Sequence, residues 1–330
     1  MYNWNYMRDG DDKYDRLRLY LQEKTGESII SIKRLSAKIL FVEGVTKNWL
    51  LKPFNSAQNL SNQIVLTNCL RQNNFMQTYQ FHPIHQNDAI LWDQQLWGLF
   101  DYLEPKINDP FHYGTMENRI EALDLMRKFH NTSEEIIKEL VYLRPYQLEN
   151  KWRQRFLTFT SHASNIRLWI GIKSYQALLD YGSKSMQGLA LHLKSDEEEV
   201  VLHGDLAHHN FFRHANGILY LVDFDLMGKG PRLADELQIA NRILPSINWS
   251  FIKLMEQNHF SQYSSSLPFL YGLLFPSDLF REWNRFLYSS MAQQQQLWPF
   301  LYDLTVNQWT LRIRFYERVE KEIALLEGNN

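Results

Sequence analysis

The chain has one cysteine in 330 residues, Cys69, and a single thiol excludes an internal disulfide and suits a reducing compartment. The surrounding TNCLRQ offers a nucleophile only Arg71 as an activating neighbour, so Cys69 reads as a core or surface helix residue. No apolar run approaches the length that spans a bilayer, which argues against membrane insertion. The opening MYNWNYMRDGDDKYDR is polar and charged where a signal peptide needs an apolar stretch. Together these absences lead us to expect a cytoplasmic protein, or one carried from the cytosol into an assembly. A net charge of −2 supplies no global basic field, so nucleic acid is not an expected partner. Glycine is missing from KRLSAKILFVEG until Gly44, and no Asp or Glu lies between Lys52 and Asp88. The first absence removes any glycine-rich loop whose amides close over phosphates; the second leaves that stretch no carboxylate to pair with a lysine. No internal repeat is visible, and low complexity is confined to four glutamines at 293–296.

What is present suffices for a sizeable core: 45% hydrophobic and 22% charged residues, in a length that suits two lobes. Residues 15–22 have the spacing of a short helix, while 29–32, 37–42 and 49–51 read as three successive strands of a small antiparallel sheet. A helix is expected over 57–70, with Leu60, Ile64, Val65 and Cys69 facing inward. Trp92 and residues 96–102 read as a hairpin before DYLEP breaks the pattern at Pro105. The expected organisation is therefore a sheet-bearing N-terminal lobe, 1–103, and a mostly helical C-terminal lobe, 104–330. In the larger lobe Thr115 caps a helix that carries Ile120, Leu123, Met126 and Phe129, and a second helix is expected over 133–143. Trp152, Phe156 and Phe159, interleaved with Arg153 and Arg155, read as a buried face beside a solvated one rather than a stacking platform for bases. The final helix, 303–326, stops at Gly328.

Chemistry concentrates in HGDLAHHNFF, His203 to Phe212, and LVDFD, Leu221 to Asp225. Val200 to Leu202 and the run at 218–222 read as short buried strands, with Asn216 and Gly217 as the turn between them. This places Asp205, Asn210 and Asp223 at strand ends, where their side chains can converge on one cation and one reacting hydroxyl. Phosphoryl transfer asks for that set, because its loose transition state needs positioning and charge neutralisation. Magnesium keeps waters and takes one or two carboxylates. Asp223 is expected to hold the metal and Asn210 to add a neutral oxygen, while Asp205 orients the attacking hydroxyl. Turn-capping by Asp and Asn explains each residue singly but not their conjunction.

These motifs resemble the aminoglycoside phosphotransferase and choline kinase superfamily, small-molecule relatives of the protein kinases, and within it the CotS/YutH group of spore-coat-associated proteins. The resemblance covers most of the chain, with its specific motifs between Lys52 and Asp235. It implies an α+β, two-lobed protein-kinase-like fold, with ATP and Mg2+ as cofactors and a small-molecule hydroxyl as acceptor. His203, Gly204, Asp205 and Asn210 match the catalytic loop, and His203 is read as making structural hydrogen bonds beneath it. Asp223 and Phe224 match the metal-binding motif, Asp235 resembles the acid that braces the loop, and Phe129 and His130 in MRKFHNTS resemble a recurrent helix end. Lys52, ending the third strand, is expected at the α- and β-phosphates, and the backbone of Asp101, Tyr102 and Leu103 at the adenine.

The two early absences are departures from this pattern: no glycine-rich loop, and no helix carboxylate for Lys52, for which Gln58, Asn62 and Gln63 are the neutral substitutes. Activity is the leading expectation; the alternative is a pseudokinase serving as a structural component with spore-coat partners. Four histidines, His203, His208, His209 and His214, invite a zinc reading, which lacks cysteine and a familiar ligand spacing. Asp225 is expected in a salt bridge or behind the metal, and residues 196–199 as a solvated acidic connection. No acidic cluster announces a polycationic acceptor.

Overall fold

The computed structural model describes residues 11–193 and 198–328. The first ten residues, and residues 196 and 197 of the acidic connection, lie outside the described residues. The chain forms two compact units. One comprises Met1–Pro110, Glu135–Leu143 and Phe212–Asp225; the other comprises Phe111–Glu134, Arg144–Phe211 and Leu226–Asn330.

The first unit is built on helix α1 (Asp11–Thr25) and a five-stranded sheet in the order β1-β2-β3-β5-β4. Its strands, β1 (Ile29–Arg34), β2 (Leu40–Gly44), β3 (Trp49–Phe54), β4 (Ile90–Trp92) and β5 (Gln95–Asp101), pair antiparallel throughout. Strand β2 starts later than expected because Leu35 and Ser36 both donate backbone N–H to Ile39, closing a tight turn. Side chains alternate across a strand, so Trp49 and Leu51 enter a core with Leu17, Leu21, Val42 and Leu99, while Lys52 points to the opposite face. That face is covered by α2 (Ala57–Gln72), whose first turn is capped by Ser56 accepting from the Asn59 N–H at 3.3 Å. The inward residues of α2 are Leu60, Gln63, Leu66, Thr67 and Leu70. Ile64, Val65 and Cys69, expected inside, are half-buried at the edge of the contact. Gly98 pairs with Lys52, and any Cβ there would meet the Phe54 ring at 2.6 Å.

In the second unit the expected helix after Thr115 is α3 (Met116–Ile136), with Thr115 Oγ1 accepting from Asn118 N–H at 3.3 Å. Leu123, Met126 and Phe129 are buried while Ile120 is exposed. No separate helix begins at Ser133. Its hydroxyl donates to the His130 carbonyl and accepts from the Val201 N–H, so it ties α3 to a strand instead of starting a new turn. The next helices are α4 (Leu148–Ser161) and α5 (Ala163–His192), the latter broken at Gly171, φ 79° and ψ 159°. Strand β6 (Glu199–Leu202) pairs antiparallel with β9 (Gly228–Pro231), while β7 (Phe211–Arg213) and β8 (Leu219–Leu221) form a separate two-stranded sheet that, from Phe212 on, belongs to the first unit. Next come α6 (Leu233–Ile243), α7 (Phe251–Met255), α8 (Asn258–Ser261), α9 (Leu267–Leu273), α10 (Ser277–Leu287) and α11 (Met291–Tyr302).

Aromatic packing dominates this core: Trp152 stacks on Phe275 at 4.1 Å, and Phe159 lies 4.7 Å from Phe280. The expected buried face of α4 is therefore real, and Arg153 is exposed. Arg155 is not on the solvated side, because its guanidinium turns inward to donate to Ser277 Oγ at 2.9 Å. The last helix is shorter than expected. Residues Asp303–Asn307 form a wide π-turn, stabilised by Asn307 and Gln308 donating to the Asp303 carboxylate, and α12 (Trp309–Gly328) follows.

Candidate active site

The loop after β6 is stapled from beneath by the face of α6. Asp235, fully buried, accepts from the backbone N–H of His203 at 2.7 Å and of Gly204 at 3.1 Å, and His130 Nε2 donates to it at 3.1 Å. Burial pushes the Asp235 carboxyl up, but the His130 hydrogen bond and the charges of His130 and His203 outweigh it and leave the group below its usual value. One turn on, Gln238 donates to the Gly204 carbonyl at 3.0 Å and accepts from the Leu206 N–H. Gly204 sits at φ +77°, and a Cβ there would lie 2.2 Å from the Leu226 carbonyl oxygen, so only glycine fits this turn.

The staple aims the polar side chains. His203 is buried and accepts from the Asp205 N–H at 3.3 Å, a supporting position beneath the loop. Asn210 is 2% exposed and donates Nδ2–H to the Asp205 carbonyl at 2.9 Å, which leaves its amide oxygen as the available ligand atom. The Asp205 carboxylate faces Arg242 of α6 at 3.4 Å. His203, Asp205, Asn210 and Asp235, expected together from the sequence, do lie together, and Gln238 and Arg242, which the sequence reading did not single out, join them. The signal was available: 235, 238 and 242 recur at three and four residues, one face of one helix.

In the first unit, β8 delivers the second motif. The Leu221 N–H donates to the Gln77 carbonyl at 2.9 Å, and Phe224 is fully buried 6.0 Å from the Tyr79 ring. Asp223 is held at φ +67°, in the left-handed region that few non-glycine residues adopt. Lys52 Nζ lies 2.8 Å from Asp223 Oδ1 and 2.7 Å from Asp225 Oδ2. Behind this pair, Gln63 donates Nε2–H to Asp225 at 3.0 Å, and the Tyr79 hydroxyl donates to Gln63 Oε1 at 2.9 Å. The Tyr79 hydroxyl is pushed well above its usual pKa by burial, then by the charges of Asp223 and Asp225, so it stays a donor. Gln63 therefore orients Asp225 and not Lys52, as the sequence had led us to expect of an amide on this helix. Gln58 and Asn62 bond to each other at 3.0 Å.

Farther along the sheet, the Asp101 N–H is taken by Gln80 at 2.9 Å, the Tyr102 N–H by Asn48 at 3.1 Å, and the Asp101 carboxylate by Lys47 at 2.7 Å. Of the expected adenine contacts, the Leu103 backbone stands outside these bonds. His214 accepts from the Asn216 N–H within the β7–β8 turn, whereas His208 and His209 face each other with ring centroids 5.5 Å apart. Among the described residues, no group of three or more His, Cys, Asp and Glu is arranged to hold a metal ion. Asp205, His208 and His209 border a cavity of about 590 Å³ within the second unit.

Residues 40–250 match the model of the phosphotransferase enzyme family, and the chain belongs to that family. No curated protein matches it. Solved structures share its kinase-like α+β fold at low identity. An aminoglycoside phosphotransferase from Alicyclobacillus acidocaldarius is 14% identical over 98% of both chains, with a TM-score of 0.70. A spectinomycin phosphotransferase crystallised with ADP and spectinomycin is 12% identical over 95% of this chain and 98% of its own, TM-score 0.60. An amicoumacin kinase in complex with AMP-PNP and Ca2+ is 13% identical over 94% and 95%, TM-score 0.54. Among the described residues no helix is long and apolar enough to cross a membrane.

Proposed function

We propose that the protein transfers the γ-phosphate of ATP to a hydroxyl of a small molecule, with magnesium. The observation that carries this reading is the anchoring of Lys52 by Asp225, which supplies the carboxylate that α2 lacks. A lysine so held presents a fixed positive charge for the nucleotide phosphates. Asp205 accepts a hydrogen bond from the acceptor hydroxyl. The acceptor oxygen bonds to the γ-phosphorus as the bond to the bridging oxygen breaks, ADP leaves, and the hydroxyl proton passes to Asp205. Magnesium suits the donor chemistry: Asp223 in the first unit offers a hard carboxylate oxygen, Asn210 in the second a hard amide oxygen, and magnesium uses few protein ligands. When bound, the ion neutralises charge on the phosphate oxygens. Nucleotide complexes of the spectinomycin phosphotransferase and amicoumacin kinase support the same assignment.

Calorimetry of ATP with and without magnesium, on the unaltered protein and Asp223→Ala, tests it. Magnesium-dependent binding that the substitution abolishes is expected; no binding at millimolar ATP sinks the proposal. A second reading, a silent scaffold of the CotS/YutH kind with spore-coat partners, draws on the tight β1–β2 turn at residues 35–39, which has no glycine to close over phosphates. It predicts no nucleotide binding in the same experiment.

A further inference from the structure

The cavity beside Asp205 has a charge imbalance. Helix α4 contributes Lys151 and Arg155, α6 contributes Arg242, and α10 contributes Arg281, Glu282 and Arg285. The carboxylates bordering the cavity are already engaged. Asp278 is bound through both oxygens by Arg312, at 2.9 and 2.6 Å. Glu282 is held by Arg281 at 2.8 Å and Arg285 at 3.7 Å, and Asp205 faces Arg242. Lys151 and Arg155, one helical turn apart, bond instead to neutral oxygens: Lys151 Nζ donates to the Tyr146 hydroxyl at 2.8 Å, and Arg155 donates to Ser277 Oγ. Among the described residues neither has a carboxylate at ion-pair distance. The buried Nε of Arg242 has no partner.

The electrostatics respond accordingly. Burial, then the neighbouring Arg155, lowers the Lys151 pKa to about 8. The Arg155 and Arg242 guanidinium groups are lowered by burial and then by Arg281. Like charges held together in a half-enclosed space, short of counter-charge, form an environment that a bound anion relieves.

We propose that the acceptor is an anionic alcohol, a small molecule whose hydroxyl meets Asp205 while its phosphate or carboxylate group is held by Lys151 and Arg155. This deepens the phosphotransferase reading and rests on it for the role of Asp205. The same charges disfavour a polyamine-like acceptor, which would meet Lys151 and Arg155 with no free carboxylate to receive it.

Calorimetry on the full chain, with and without excess ADP, tests the inference with three probes: glycerol 3-phosphate, glycerol and choline. Glycerol 3-phosphate is expected to bind at millimolar concentration and the other two not. Lys151→Gln and Arg155→Gln should each weaken it by about tenfold or more, and Lys151→Arg, which keeps the charge, should retain affinity within about threefold. Lys151 is half-exposed, so its replacement leaves the core intact. Absence of phosphate-ester binding, equal binding of choline, or indifference to both charge-removing variants overturns the anion site. Nucleotide binding is measured separately on the same samples. ATP binding without anion binding defeats this inference alone, whereas anion binding without ATP binding keeps the site and defeats the phosphotransferase reading.

Discussion

If Asp225 stands in for the missing helix carboxylate, then Asp225→Asn should loosen Lys52 without disturbing anything else. The substitution is close to isosteric, and the new amide oxygen can still accept from Gln63, so the change is one of charge. Its magnitude follows from the exposure of the pair: the Lys52 side chain is 15% exposed and that of Asp225 43%. Solvent-exposed ion pairs contribute about 0–1 kcal/mol, and hydrogen bonds to charged groups about 1.5–3 kcal/mol. A pair with one partner buried and the other half-exposed falls between them, at about 1–2 kcal/mol, or roughly 5–30-fold in ATP affinity or kcat/KM. Lys52 keeps its second contact, to Asp223 at 2.8 Å, so the loss should be partial. Calorimetric ATP titrations at several magnesium concentrations measure it, with Asp225→Glu as the rescuing variant. Unchanged ATP affinity would refute the anchoring argument. A loss that added magnesium restores would refute it differently, by showing that Asp225 serves the metal instead.

Gln63→Leu removes the acceptor of the Tyr79 hydroxyl in a buried setting and should destabilise the protein by about 1–3 kcal/mol while also weakening ATP binding, read from thermal melts and the same titrations. Asp278→Ala leaves the Arg312 guanidinium, fully buried 3.7 Å above the Trp249 ring, without its counter-ion, and should cost about 3–5 kcal/mol in denaturant unfolding. The Asp278 carboxyl is pushed up by burial but more strongly down by Arg312, so its folded pKa is below the ordinary 3.8. Its stabilisation is therefore complete above pH 3.8 and fades as pH falls from there through the depressed folded value; acid titrations of the parent and Asp278→Asn should converge in that window. Lys151, faced by Arg155, Arg281, Tyr146, Asp205 and Asp235, should lose its charge as pH rises through about 8, and phosphate-ester affinity should fall above that pH in the parent but not in Lys151→Arg.

The loop of His203 to Asn210 was legible as a cluster because its residues are close in sequence. His203, Asp205 and Asn210 lie within eight residues, and Gly204 inside that span takes a positive φ that favours glycine. The face of Lys52, away from the Trp49 and Leu51 core, came from the structure, although strand alternation explains it. Helix faces were less secure. On α2, apolar spacing favoured Ile64 and Val65, yet the buried side includes Gln63 and Thr67, polar residues admitted because each finds a hydrogen-bond partner.

What the sequence alone determined is the sheet-and-helix class, the loop that carries Asp205 and Asn210, and the strand end that carries Asp223. Tertiary structure alone decided who serves these residues. Lys52 meets Asp225 across a long stretch of chain, so the empty carboxylate position in α2 looks like a defect until the fold supplies the charge from elsewhere. Arg155 reads as a solvated residue from its helix, and becomes part of a basic cavity only when α4, α6 and α10 come together. The physical reason is common to both. Periodicity reports which side of an element avoids water, but the partner of a charge is set by distance in space, and neighbours across different elements leave no spacing in the sequence to read.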